Sequence, residues 1–320
     1  MDNFLFSLNA TLPVFLIILL GWVLMQLGLF NREFLKVIDK YVFKAALPLL
    51  LFHGIATTDI RSVFDGRFVL FCMLATTAMF FGTWLFSWLF LKDKSMVGAF
   101  AQASARGSAA ILGIAFVQNI YGDSGMAPLM IVSAVPLYNI YSVIILTVSA
   151  AAVHPQASAQ KKSSLFRATL FNILKNPIIL GIFAGLPFSL AGITIPAIPL
   201  KAVTNVAATA TPMALLSIGA GFEGRKAITR LKPTIAASFL KLIGIPALFF
   251  PIACLLGFTG SKMVAILVML GSPTTVSCYI MAKNMDNDEV LTSSIVVLTT
   301  LLSSVTLTGW IFFLRSMGLI

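Results

Sequence analysis

Residues 102–119 read QASARGSAAILGIAFVQN. They lie inside an apolar run long enough to cross a bilayer, yet Arg106, Gly107 and Ser108 stand at its centre. Lipid tolerates a cation beside a glycine at that depth only where the interrupted helix lines protein or a watered cavity. The device returns as Leu270-Gly271-Ser272-Pro273-Thr274-Thr275: Gly271 follows Gly107 by 164 residues, as Ser272 follows Ser108. Two interrupted helices at matching places point to a membrane carrier built from repeats.

The rest of the chain agrees with a membrane setting. Of 320 residues, 59% are hydrophobic and only 10% charged, and the mean hydropathy is +0.99. That composition excludes an ordinary water-soluble globule. The net charge of +11 would suggest nucleic acid in a soluble protein. In a membrane protein it reflects Lys and Arg gathered in cytoplasmic loops, so no nucleic-acid partner is expected. Cys72, Cys254 and Cys278 fall inside apolar runs at spacings that suit neither a metal site nor a disulfide framework. The first run has no basic leader and no small-residue cleavage site, so it reads as a retained span.

Ten spans can be placed, near residues 4–29, 33–55, 67–91, 96–121, 126–153, 166–190, 197–222, 233–258, 261–285 and 290–317. All read as helix, giving an all-α integral membrane fold, because open strand edges cannot face lipid. A polar linker, 154–164, separates a first five-helix unit, 1–153, from a second, 165–320. At the 164-residue offset Pro13 meets Pro177, Gly21 meets Gly185, Gly28 meets Gly192, Pro48 meets Pro212 and Gly107 meets Gly271. An odd number of spans per repeat makes the topology inverted, with broken helices 4 and 9 facing each other near the midplane. Placing both termini outside sends Arg32, Lys36, Lys40, Lys44, Lys92, Lys94, Lys161, Lys162, Arg167, Lys175, Arg225, Lys226, Arg230, Lys232 and Lys283 to the cytoplasm. It leaves Arg61, Arg67, Lys201, Lys262 and Arg315 outside.

Arg106 lies roughly 16 Å into its span, too deep to reach the interface easily. It is expected to hold an anionic substrate whose carboxylate supplies the counter-charge; the competing reading is a cap on carbonyls freed by the helix break. Gly107, Ser108, Gly271, Ser272, Pro273, Thr274 and Thr275 supply free backbone groups, hydroxyls and a half-helix N-terminus, the parts of an anion site in lipid. Asn139 is a further candidate, with an interhelical hydrogen bond as its alternative. Tyr138, Asn205, Thr209 and Thr211 are polar residues within spans, His53 reads as a proton carrier or a structural histidine, and Lys44 and Lys241 are expected to extend toward the interface, with lining a cavity as their alternative. No carboxylate sits at mid-span and no HExxH, GxSxG or P-loop occurs, so neither an acidic ion-exchange pair nor an enzyme is expected. No cofactor is implied; Na⁺ or H⁺ coupling stays open.

Residues 38–53, IDKYVFKAALPLLLFH, resemble the second-helix segment of the auxin efflux carrier family. Residues 271–304, from Gly271-Ser272-Pro273 through Lys283-Asn284 to Ser303-Ser304, are similar to its bacterial organic-acid and malonate permeases. The resemblance implies a ten-helix inverted-repeat fold like that of NhaA and bile-acid transporters, with helices 4 and 9 crossing, elevator movement and a homodimer. Family members carry Arg, then Asn two positions on, then Gly-x-Pro in the fourth helix. This chain keeps Arg106 and Gly113 but has Ser108 and Ala115 in the other two places. The expectation is a carrier of a small organic anion in a bacterial cytoplasmic membrane. The alternatives are an anion-binding membrane sensor and a Na⁺-coupled carrier of larger amphipathic acids.

Overall fold

A computed structural model describes residues 13, 16–57, 64–109, 116–117, 120–122, 125–153, 175–222 and 224–320. The expected linker, 154–164, and the residues Gly113 and Ala115 lie outside these. After α1 (Leu16–Gln26), Asn31 caps α2 (Arg32–Tyr41) by accepting from the Phe34 N–H at 2.8 Å. A π turn, Val42–Ala46, carries α2 on into α3 (Leu47–Ala56). Pro48 accounts for the widened turn, since it has no N–H for the Lys44 carbonyl and its ring crowds that oxygen.

Asp65 caps α4 (Gly66–Phe90), and α5 (Val97–Ala105) stops at Arg106, whose backbone is extended. Next come α6 (Ala127–Val153), which Pro136 does not end, and α7 (Pro177–Ala191), capped by Asn176 and closed by left-handed Gly192 at φ 67°. The helices α8 (Ala197–Ala208) and α9 (Ala210–Ala220) join at Thr209. Short α10 (Gly224–Thr229) precedes α11 (Leu231–Phe239), which a second π turn, Leu240–Gly244, connects to α12 (Ile245–Leu255). The chain ends with α13 (Ser261–Gly271), α14 (Ser277–Asn284) and α15 (Glu289–Ser316).

Among the described residues five helical runs are long and apolar enough to cross a membrane: Gly66–Phe90, Ala127–Ala152, Ala197–Ala220, Leu231–Leu255 and Glu289–Ser316. Leu16–Gln26, Pro177–Ala191 and Ser261–Gly271 are shorter apolar helices. Their outward faces are greasy, with Leu255 87% and Phe312 75% exposed, as suits a multi-pass membrane protein.

Two large apolar cores, and a smaller cluster of Phe100, Ala237, Leu291 and Ile295, organise the interior. One joins α4, α5, α6, α12, α13 and α15 around Phe68, Phe80, Met130 and Leu267. The other joins α1, α2, α3, α7, α9 and α14 around Val42, Ile178, Ile182 and Ile218, with Val143 and Leu146 of α6 and Val296 of α15 shared into it. Within the second core α3 and α7 approach to backbone contact. A Cβ on Gly185 would lie 3.0 Å from the Phe52 carbonyl oxygen, and one on Gly181 would collide with the Pro48 backbone.

Candidate functional site

The two interrupted helices meet between the cores. Arg106 and Ser272 are extended, Gly107 and Thr274 form an isolated antiparallel bridge, and the Ser108 N–H donates to the Pro273 carbonyl at 2.9 Å. An interrupted helix leaves its last carbonyls without partners, which is costly away from water. Each half here draws donors from elsewhere. For α5, the Gln102 carbonyl accepts from the Arg106 N–H, Ala103 from Thr274 Oγ1 at 2.7 Å and Ala105 from Lys241 Nζ at 3.1 Å. For α13, the Val268 carbonyl accepts from the Ser272 N–H, Met269 from the Tyr138 hydroxyl at 2.8 Å and Leu270 from Lys241 Nζ at 2.8 Å.

Lys241 therefore corrects the sequence expectation. It is fully buried and does not extend to the interface, because the π turn Leu240–Gly244 carries it inward. That turn precedes Pro246, which cannot donate to the Leu242 carbonyl; Trp310 Nε1 donates there instead, at 2.9 Å. Gly107 leaves room for the ammonium: a Cβ at that position would stand 2.9 Å from Lys241 Nζ and would also strike Ser272 Oγ. Lys44, by contrast, is exposed as expected.

Arg106 is 5% exposed and its guanidinium meets neutral groups. Nη2 donates to Asn139 Oδ1 at 2.6 Å, and Nη1 lies 2.7 Å from the Met281 sulfur. Asn139 is itself fully buried and fixed by donating Nδ2 to the Val135 carbonyl at 2.8 Å. Among the described residues no carboxylate pairs with Arg106 or Lys241.

A cavity of about 350 Å³ opens on this junction. The structure brings Arg106, Gly107, Ser108, Pro273, Thr274 and Thr275 together on its wall, joined by His53, Tyr138, Thr211, Ser277 and Thr300. The remaining wall is aliphatic, from Leu47, Leu50, Leu51 and Ile55 of α3 to Ile131 and Val135 of α6. Three expected site residues do not line it. Gly271 is still helical and faces Pro246 and Trp310, Ser272 is buried behind the crossing strand with its hydroxyl unpartnered, and Asn139 reaches the site only through Arg106. Asn205 is exposed, and Thr209 bonds the Tyr41 hydroxyl at 2.8 Å.

Asp39 escaped the sequence reading. It is 3% exposed near the C-terminal end of α2, where Lys283 Nζ pairs with it at 2.8 Å and Ser217 donates to its other oxygen. Its partners lie 178 and 244 positions away, so no local pattern announces it.

A multi-pass helical membrane protein with an internal, cation-bearing cavity at two interrupted helices is the construction of a membrane transporter. Residues 6–311 match the family described as membrane transport protein, and the chain belongs to that auxin-efflux-carrier-like family. It is 25% identical over 96% of its length to the "Putative malonate transporter" of Rhizobium meliloti, covering 96% of that protein. It is 23% identical over 96% of its length to an "Uncharacterized transporter" of Methanothermobacter thermautotrophicus, covering 98% of it. To the "Uncharacterized transporter YfdV" of Escherichia coli it is 26% identical, over 87% of this chain and 88% of the other.

Proposed function

We propose that this chain is a secondary transporter carrying a small organic anion, a mono- or dicarboxylate such as malonate, malate or an auxin-like acid, across a bacterial cytoplasmic membrane. The observation that carries this reading is Arg106, a buried guanidinium with neutral partners on the wall of an internal cavity beside the N-terminus of α14. A carboxylate there would gain a bidentate cation and the positive end of a helix. The name of the Rhizobium meliloti relative supports the acid.

The ten-span inverted repeat gains support from packing. Gly21 abuts the Leu216 backbone and Gly185 abuts that of Phe52, and each residue of one pair stands 164 positions from its counterpart in the other. The cavity is walled from both cores, by Ile131 and Val135 of the first and Leu47 and Ile55 of the second, which supports alternating access of the elevator kind, with one group of helices moving against the other. The Lys and Arg bias supports termini outside, and the family resemblance supports a homodimer.

Uptake of labelled malonate, malate and indole-3-acetate into proteoliposomes, with and without Na⁺ and pH gradients, tests the reading. Saturable flux of one acid is expected, and Arg106→Gln should abolish its binding while the protein stays folded. Wild-type binding without flux would replace the carrier by a sensor. Unchanged affinity in Arg106→Gln would remove the guanidinium from the site.

A further inference from the structure

The C-terminal carbonyls of α5 and α13 converge on one nitrogen. Each helix end carries roughly half a negative charge, and a dry interior supplies no solvent to offset it. Where transporter helices are broken, such ends are places that hold a coupling cation. Here Lys241 Nζ donates to Ala105 O at 3.1 Å and Leu270 O at 2.8 Å, one carbonyl from each broken helix. The lysine is fully buried, has no carboxylate partner among the described residues and does not line the cavity. Its position is built rather than incidental. The π turn before Pro246 carries it inward, and the missing side chain of Gly107 leaves it space.

We infer that the Lys241 ammonium is a resident cation that fastens both half-helix ends and fills the place of an alkali ion, so that the crossing keeps its shape without Na⁺. Lys241 is thus a positioning residue for Arg106 and Thr274, which flank the same crossing. This rests on the transport reading for its meaning, but its chemistry can be read without substrate. A cation that never leaves gives the carrier no dependence on Na⁺ or K⁺. Removing the ammonium exposes two converging carbonyls and, beside them, the unpartnered Ser272 hydroxyl, an oxygen set that a small hard cation can occupy.

The experiment compares purified wild type, Lys241→Ala and Lys241→Arg in NaCl, LiCl, KCl and choline chloride at equal ionic strength, by melting temperature and by acid uptake in liposomes. Wild type should melt alike and transport alike in all four salts. Lys241→Ala should melt lower, lose about tenfold or more of its uptake, and gain a melting temperature that Na⁺ or Li⁺ raises above its choline value. Lys241→Arg, which keeps a cation, should remain indifferent to salt. A wild type stabilised or driven by Na⁺ over choline would overturn the inference, as would Lys241→Ala with normal uptake. A Lys241→Ala protein indifferent to every cation would overturn the replacement of a metal, because the vacated oxygens would then be no cation site. Should that variant fail to fold, the wild-type salt comparison still decides. Absence of uptake of every acid by wild type would sink the transport reading and leave the melting comparison standing.

Discussion

The ion pair between Asp39 of α2 and Lys283 of α14 allows a sharp test, because its two partners sit in unequal surroundings. The Asp39 side chain is 4% exposed, and that of Lys283 is 24% exposed. Lys283 has further partners, the Tyr279 hydroxyl at 2.9 Å and Glu289 at 3.5 Å, whereas among the described residues the Asp39 carboxylate has only Ser217 besides. Lys283→Met therefore strands a buried carboxylate. Breaking a buried pair from one side costs about 3–5 kcal/mol, and the partial exposure of Lys283 lowers the expectation to about 2–4 kcal/mol. Asp39→Asn leaves Lys283 with other acceptors and some water, and the carboxamide oxygen still accepts from Ser217, so about 1 kcal/mol is expected. The double variant removes the stranded charge. It should therefore be more stable than Lys283→Met alone, with a coupling of about 1.5–3 kcal/mol. Denaturant midpoints and melting temperatures of the four proteins read this cycle. Costs that add to within about 0.5 kcal/mol, or a double variant weaker than Lys283→Met, would refute the argument.

Three further outcomes follow from other contacts. Asn139→Leu removes the carboxamide that holds Arg106 Nη2, and acid affinity measured by binding should fall about tenfold with the fold retained. Trp310→Phe keeps an aromatic ring but leaves the Leu242 carbonyl without a donor, and should lower stability by about 1–3 kcal/mol in a thermal melt. Asp65 has its carboxyl held below the usual 3.8, first by the hydrogen bond from Lys262 and then by the backbone N–H of Phe68. A depressed folded value means its stabilisation is complete above 3.8 and disappears as pH falls through the lower folded value. Melting of Asp65→Asn, which keeps the helix cap, should be flatter than wild type over that acid window.

The breaks at Arg106–Ser108 after α5 and between α13 and α14 are legible because their signals are local: a cation, glycines and a proline where composition alone predicts an unbroken apolar helix. Lys241 had a local signal too, but a quieter one. A lysine in an apolar run reads equally well as extending to the interface, and only Gly244 and Pro246 after it hint at the π turn that swings it inward. Asp39 had none, since its burial depends on Ser217 and Lys283 from the far half of the chain. Gly271 and Ser272 sat in the right segment but face away from the cavity, because α13 stays helical through Gly271 and helical geometry turns that residue toward Pro246. A motif read as five contiguous contacts thus contributes three to the wall: Pro273, Thr274 and Thr275.

The interior cations divide by what surrounds them rather than by type. Among the described residues both are buried without carboxylates, yet Lys241 meets carbonyl oxygens that terminate two helices, while Arg106 meets an amide oxygen and a thioether. The negative helix ends and the ammonium offset one another on one side of the crossing. On the other side the guanidinium and the N-terminus of α14 leave the cavity positive, with Thr275 and Ser277 at its edge. On the proposed transport reading such an asymmetry would select charge before shape: an anion entering the aliphatic cavity would find an offsetting field that no acid among the described residues provides, and a cation would be repelled. On that reading, selectivity among acids would fall to the apolar wall of α3 and α6. Residues such as Leu51, Ile55 and Val135 are where specificity can be changed without disturbing Arg106, and enlarging or filling that wall should alter which acid is preferred while leaving the preference for anions intact.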